Sequence, residues 1–289
     1  MSLPVAIAAA IGAAAAFGVA SAVQHATAHA QTGGGRVSLR GLGGLLGDRR
    51  WLLGTAADAV GLVLQVVAIN SGPVSVVQPL HVLGLLVALP VGAALGGPRV
   101  TGRALAHSGI LVAGLATFLV LVGDPGSGRA PAPRAGPTLT AALLVGTVLM
   151  VVAVRRRAGA TRAVAHGLAS GTLFGLTAVL LRILALRWQH GGVAVLAHAS
   201  GLVPLICLLV AGALAIAVGQ AGFQVGPLAA SLPAQTASDP VVAVILGAGL
   251  LHEHLPLDAA HVVGYVVALA AVTVAAGALA RDEHPIAVP

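Results

Sequence analysis

Apolar runs about twenty residues long recur along the whole chain, and they constrain its fold more than any other feature. An α-helix needs about 20 apolar residues to cross the hydrocarbon core of a bilayer. Charged residues make up 8% of the sequence and hydrophobic residues 58%, whereas a soluble domain is about 25% charged. We therefore expect an all-α, polytopic membrane helix bundle.

Hydropathy windows of this length predict nine transmembrane helices. They lie at roughly 3–26, 51–70, 73–95, 104–123, 138–155, 163–186, 194–219, 225–250 and 259–280. The first run also ends in Ala28-His29-Ala30, a pattern typical of signal-peptide cleavage sites. However, its start carries no Arg or Lys, and the segment has a counterpart in the sixth helix. We therefore interpret it as the first span.

The connectors between these spans alternate in charge. One side carries eleven arginines and the other three. The rich side holds Arg36, Arg40, Arg49, Arg50, Arg99, Arg103, Arg155, Arg156, Arg157, Arg162 and Arg281; the poor side holds Arg129, Arg134 and Arg187. Because positive loops stay in the cytoplasm, we expect a multi-pass protein of the cytoplasmic membrane with its amino terminus outside and its carboxyl terminus inside. Arginines confined to connectors also argue against nucleic acid as a partner, since nucleic-acid binders cluster them on one soluble face.

One pattern occurs twice, 154 residues apart. Gly72-Pro73 is followed by Pro79 and His81, and Gly226-Pro227 by Pro233 and Gln235. With a slightly larger offset, Phe17-Gly18 matches Phe174-Gly175. Helix-weakening residues at matching places in two halves of a membrane chain are typical of secondary transporters.

The repeat predicts a domain organisation. A first repeat comprises residues 1–137, a linking fifth helix comprises 138–158, and a second repeat comprises 159–289. Each helix of the first repeat is five spans from its match, and an odd displacement inverts the second copy. An inverted repeat has two nearly equivalent packings, which is the geometry of alternating access.

Polar side chains inside the predicted spans are the candidates for substrate binding, because each needs a partner or a cavity in the membrane. The candidates are His81, Gln78, Gln235, Asp239, Asp58, Asn70, Gln224 and Arg182. Asp239 and His81 are also consistent with hydrogen bonds that only hold helices together, and Asp58 with an arginine pair. Asn70 and Gln224 are placed to cap the second and seventh helices. Arg182 is placed either to snorkel to the interface or to attract an anion.

Two motifs resemble a known family. The run from Gly247 through Glu253, followed by Gly264, is similar to the ends of the last two helices in the drug/metabolite transporter (EamA-like) superfamily. The spacing of Trp51, Gly54, Gly61, Pro73 and Pro79 resembles that of the nine-span NIPA-type magnesium transporters. This resemblance implies inverted repeats and export of small solutes, or transport of a divalent cation.

The chain departs from the NIPA pattern at one informative position. Leu62 stands where that family carries a Glu after the glycine equivalent to Gly61. Mg²⁺ requires oxygen ligands, commonly one or two carboxylates, and Asp58 and Asp239 are the only carboxylates in the predicted spans. They are the expected metal ligands if the divalent-cation hypothesis holds.

Three functions remain open at this stage. The leading one is a secondary transporter, in the direction of export, for a small polar or charged metabolite, with Asp239 or Asp58 as the proton-linked group. The alternatives are a NIPA-like magnesium or divalent-cation transporter and a membrane scaffold that does not transport. No motif typical of an enzyme or a bound cofactor occurs. The expected partners are a small molecule or ion, the lipid bilayer and a second copy of the chain in a homodimer.

Overall fold

A computed structural model describes residues 3–32, 43–71, 80–123, 129, 131–132, 134–157 and 159–282. The regular secondary structure in these ranges is helical, with no β-strand. Eight of the helices described are long and apolar enough to cross a membrane. The expected all-α, multi-pass membrane architecture is therefore confirmed.

The helices follow the predicted order. They are α1 (Leu3–Thr32), α2 (Arg49–Ser71), α3 (Gly84–Ala94), α4 (Gly102–Val122), α5 (Ala135–Ala153), α6 (Ala160–Gly191), α7 (Ala199–Val225), α8 (Leu228–Leu251) and α9 (Ala259–Asp282), with a 3-10 helix at Gly192–Ala197 before α7. Only α3 is shorter than a membrane span, with 11 residues. The third predicted span began at residue 73, and residues 72–79 lie outside the described ranges.

The junction between α7 and α8 differs from the prediction. The seventh helix was expected to end at residue 219, but α7 continues to Val225 and ends where Gly226 is extended and Pro227 follows. Pro233 and Pro240 lie inside α8 without ending it. Each proline leaves a backbone carbonyl of α8 without its helical hydrogen bond. In a membrane bundle, polar groups of the surrounding protein satisfy such carbonyls, so a helix can continue through a proline.

The first helix of each half packs antiparallel against the second. Between α1 and α2, a Cβ at Gly12 would lie 3.3 Å from Leu64, and one at Gly61 would lie 2.8 Å from the Phe17 ring. As the residue number rises along α1 it falls along α2, which makes the two helices antiparallel.

The corresponding helices of the second half, α6 and α7, pack in the same way. A Cβ at Gly222 would lie 2.9 Å from the Cβ of His166, and one at Gly226 would lie 2.6 Å from the Cβ of Ala163. The residue number again rises along one helix as it falls along the other. The antiparallel pair is therefore present in both halves.

The first helix of each half also packs parallel to the third through a glycine. A Cβ at Gly18 on α1 would meet the Gly84 carbonyl, the Val87 Cβ and the Ala88 nitrogen of α3. On α6, a Cβ at Gly175 would meet the corresponding atoms of α8, which are the Asp239 carbonyl oxygen, the Val242 Cβ and the Ala243 nitrogen. Small residues permit such close approach in lipid, so the small-residue stripe on α6 belongs to a helix contact within the chain.

The fourth helices of the two halves pack against each other. A Cβ at Gly114 on α4 would lie 3.0 Å from the Ala268 carbonyl of α9, and one at Gly264 would lie 2.6 Å from Leu121. The helices are antiparallel, and they cross at Gly114 and Ala268, which are 154 residues apart, as in the sequence repeat.

The described arginines of the rich side converge on one end of the bundle. Gly226 at the end of α7 adjoins Gly159 at the start of α6, Gly92 near the end of α3 adjoins Leu228 at the start of α8, and Ala280 near the end of α9 packs with Ala163. We call this the arginine-rich end; it holds Arg49, Arg50, Arg99, Arg103, Arg155, Arg156, Arg157, Arg162 and Arg281.

Candidate functional site

A chain of three polar side chains links the two halves of the molecule near the arginine-rich end. The Gln24 Nε2 on α1 donates to the Asp58 Oδ2 on α2 at 2.6 Å. The Gln220 Nε2 on α7 donates to the Gln24 Oε1 at 2.7 Å. We call these three residues the amide relay. Gln24 and Gln220 are 8% and 5% exposed, so the relay is largely shielded by helices.

The direction of the relay is the one that an ionised Asp58 requires. An ionised carboxylate only accepts hydrogen bonds, whereas an amide both donates and accepts. Gln24 must therefore turn its NH₂ group to Asp58, which leaves its oxygen for Gln220. The Oε1 of Gln220 is buried without a hydrogen-bond partner among the described residues. An unpaired buried acceptor is costly and marks the end of the relay as a place where a donor would be stabilised.

A group of rings lies beside the relay, at the junction of α7 and α8. The His25 Nε2 is 3.1 Å from the Gly226 carbonyl oxygen. The His25 ring stacks on His29 at 5.4 Å between centroids and meets Phe223 edge-on at 5.5 Å. The end of α1 is thus held against the helix break that the sequence repeat identified.

The α6 helix adds polar groups on the other side of α7. The Ser170 Oγ donates to the Ala215 carbonyl at 2.8 Å. A Cβ at Gly219, next to Gln220 in the chain, would lie 2.9 Å from the Ser170 Oγ and 3.3 Å from the Gln235 Oε1 of α8. The predicted candidate Gln235 therefore lies close to the α7 segment that carries the relay.

The two carboxylates predicted as a joint metal site have different surroundings. Asp58 belongs to the amide relay, whereas the Asp239 backbone abuts Gly171 and Gly175 of α6. The Asp239 carboxylate has no hydrogen bond to the described residues, and its neighbour Ser238 bonds to the α6 carbonyl of Leu168. Within the described ranges, no three His, Cys, Asp or Glu residues are grouped closely enough to hold a metal ion.

Among the remaining candidates, His81 and Gln224 lie in the described structure, and two others fall outside it. The His81 ring contacts Phe17 edge-on at 5.5 Å between centroids, and its Nε2 has no hydrogen-bond partner in the described ranges. Gln224 is fully buried in the last turn of α7, inside the helix that it was predicted to cap. Gln78 and the side chain of Asn70 lie outside the described residues.

Arg182 is paired near the opposite end of the bundle. Its Nε lies 3.5 Å from the Glu253 Oε1, in the connector after α8. Burial raises the pKa of the Glu253 carboxyl above its usual value, and the Arg182 charge offsets only part of that effect. The ion pair joins α6 to the α8 connector, and the Arg182 side chain is 37% exposed; snorkelling to the interface and attraction of an anion stay predictions.

Gln24 and Gln220 are the site residues that the sequence interpretation missed. Neither lies at a repeat position shared with a polar residue, because Gln24 matches Leu181 (24 + 157) and Gln220 matches Val66 (220 − 154). The sequence did contain one signal that could have identified them. An amide side chain in an apolar membrane helix is costly to bury without a partner, so each such residue is a candidate. The partner itself lies 196 residues away along the chain.

Comparisons with known proteins give one informative relative. The chain is 29% identical over 237 residues to an uncharacterized protein of Corynebacterium glutamicum, and the match covers 81% of this chain and 80% of that protein. No protein-family model matches the chain, and no solved structure matches it.

Proposed function

We propose that this protein is a secondary transporter that moves a small polar or charged solute, in the direction of export, across the cytoplasmic membrane by alternating access. The observation that carries the proposal is the repeated packing. The same three atoms surround Gly18 and Gly175, and α4 crosses α9 at residues that match in the repeat. Two antiparallel matched helices in contact are expected from an inverted repeat, and such repeats underlie alternating access.

A difference between the two ends of the bundle supports the same proposal. At the arginine-rich end, α1 packs on α7 through the buried Gln24 and Gln220. The matching residues at the opposite end are Leu181 on α6 and Val66 on α2, which are 59% and 51% exposed. One matched contact is made and the other is not, as expected of a carrier closed on one side. By the charge rule, the closed side is cytoplasmic.

Crosslinking provides a test that needs no known substrate. In a Cys207→Ala background, Val66→Cys and Leu181→Cys are joined by a short bifunctional thiol reagent in reconstituted membranes. Closing that end should open the other, so Phe223→Cys, at a position 4% exposed, should become reactive to a maleimide. Phe223→Cys combined with Leu181→Cys alone is the control and should remain protected. Protection that persists after crosslinking would favour the membrane scaffold and contradict the transporter.

Magnesium flux tests the divalent-cation alternative. Protein reconstituted in liposomes with a trapped Mg²⁺ indicator is compared with its Asp58→Asn and Asp239→Asn variants. If both substitutions abolish a flux that the unmodified protein supports, the cation is the substrate and the two carboxylates are its ligands. The separate surroundings of Asp58 and Asp239 instead lead us to expect no flux above that of empty liposomes.

A further inference from the structure

The amide relay has more hydrogen-bond acceptors than donors. Each of its two amide NH₂ groups donates one of its two N–H bonds within the relay, one to Asp58 and one to Gln24, so four N–H bonds face about eight oxygen lone pairs. Two acceptors remain without a partner among the described residues: the Gln220 Oε1 and the second oxygen of Asp58. With Asp58 ionised, the cluster also carries one negative charge. Its chemical complement is a small cation that bears N–H donors.

A proton on Asp58 would change what the relay offers. It removes the negative charge that attracts a cation. A proton on Oδ2 also makes that oxygen a donor, and Gln24 then turns its oxygen toward Asp58 and its NH₂ group toward Gln220. Gln220 must then turn as well and present its own NH₂ group where its oxygen had been. The end of the relay thereby changes from an acceptor to a donor, and it repels the N–H groups that it held before.

We infer that the relay of Asp58, Gln24 and Gln220 is a binding site for an N–H-bearing organic cation, and that this cation and a proton on Asp58 exclude each other. The proton leaves the Asp58 carboxyl for bulk water as the cation donates to the Gln220 oxygen. Exchange of cation for proton across the membrane rests on the proposed transport function, whereas the binding competition does not. The relay also joins α1 to α7, so its occupancy acts on the contact that closes the arginine-rich end.

Other titratable and charged groups lie on the relay helices and on the elements packed against them. They are His25 and His29 on α1, Arg49 and Arg50 on α2, His81 before α3, Arg162, His166, Arg182 and Arg187 on α6, Cys207 on α7, and Asp239 on α8. Two of these groups lie next to the end of α7 that carries Gln220. His25 contacts Phe223 and Gly226, and His166 lies against Gly222. A test must therefore separate Asp58 from the histidines.

Methylammonium and tetramethylammonium are matched probes, because they carry the same charge but only methylammonium has N–H donors. Binding to the full-length protein in detergent is measured by thermal shift between pH 5 and 8, with proton release followed by a dye in weakly buffered solution. We expect methylammonium to bind preferentially, with release of protons. Its dissociation constant should rise about tenfold per pH unit on acidification below the Asp58 titration, as exchange for one proton requires.

Variants assign the effect to the relay. Asp58→Asn should remove the pH dependence, and Gln220→Met should weaken methylammonium binding at least about tenfold, with Gln220→Asn as the substitute if that variant does not fold. Asp258→Asn, at an exposed carboxylate before α9, should retain both properties. A pH dependence that survives in Asp58→Asn assigns the competition to a histidine and overturns the inference. Equal binding of the two probes, or no binding to folded protein, overturns the cation class, even if crosslinking establishes alternating access.

Discussion

The two halves of this molecule agree in how their first helices pack and differ in how they meet each other. The glycine contacts of α1 with α3 recur between α6 and α8, atom for atom. The contact of α1 with α7 does not recur, because α6 and α2 do not pack together within the described ranges. The contacts found in both halves are small-residue packing. The contact found once is polar, and a polar contact can be exchanged for water or a ligand.

The chemistry at the two ends explains this difference. Gln24 and Gln220 form a hydrogen bond across the α1–α7 contact, whereas the matching Leu181 and Val66 are apolar. Separating the amides in the bundle leaves buried polar groups unpaired, while separating the apolar pair exposes surface that lipid solvates equally well. In the proposed transporter, the arginine-rich end would therefore have a specific closed state, and the opposite end would close without hydrogen bonds.

The largest expected effect concerns the glycine contacts that the two halves share. Leucine at Gly18 or Gly175 would drive a side chain into the backbone of the third helix of its own half, where a Cβ at Gly175 already comes within 2.6 Å of the Asp239 carbonyl. We expect each variant to lose more than about 3 kcal/mol and most of its folded yield, measured by size-exclusion chromatography in detergent. Gly146→Leu is the control, because nothing lies within 4 Å of its Cβ. If only one of the two glycines is sensitive, the halves are not built alike.

The next effect distinguishes the two ends by chemical reactivity. In a Cys207→Ala background, Leu181→Cys and Val66→Cys should react with maleimide at least about tenfold faster than Phe223→Cys, since the latter is reached only by local opening. The comparison is made in one detergent for all three variants. Equal rates would mean that the α1–α7 contact is not closed in solution.

A smaller effect should follow from loss of the relay. Gln220→Leu removes one interhelical hydrogen bond, which contributes about 1 kcal/mol in a membrane bundle, so the open population at the arginine-rich end should rise about fivefold. The readout is the maleimide rate at Phe223→Cys. Thr273→Val is a matched control, because its hydroxyl bonds only within α9, to the Leu269 carbonyl. An unchanged rate in Gln220→Leu would show that packing alone closes this end.

The smallest expected effect lies at the opposite end. Burial raises the pKa of Glu253, so this group favours the folded state at low pH, and the stability is lost as pH rises through the folded pKa. Glu253→Gln does not titrate there, and it should gain stability relative to the unmodified protein on going from pH 4 to pH 8, by about 1 kcal/mol or less. Thermal unfolding at the two pH values measures this. A variant that instead loses stability as pH rises would make the Arg182 pair the stronger influence.

The sequence by itself determined the apolar, membrane-spanning character of the chain and the approximate positions of its helices. Hydropathy is a local property and membrane thickness is fixed, so eight spans followed from composition within a few residues. The sequence placed the junction of the seventh and eighth spans between residues 219 and 225, and the break lies close by, at Gly226-Pro227. The arginine asymmetry likewise predicted which connectors share an end.

Only the tertiary structure decided which polar groups work together. Asp58 was a candidate because a carboxylate is costly to place in lipid. Its partner Gln24 belongs to another helix, and Gln220 lies 196 residues beyond Gln24 in the sequence. Asp239, equally unusual in sequence, has its backbone against α6 and takes no part in that relay. Hydrogen-bond partners in a membrane bundle are selected by the angle and register of helix packing. Those depend on small residues along several helices at once, and they cannot be derived from the polar residues alone.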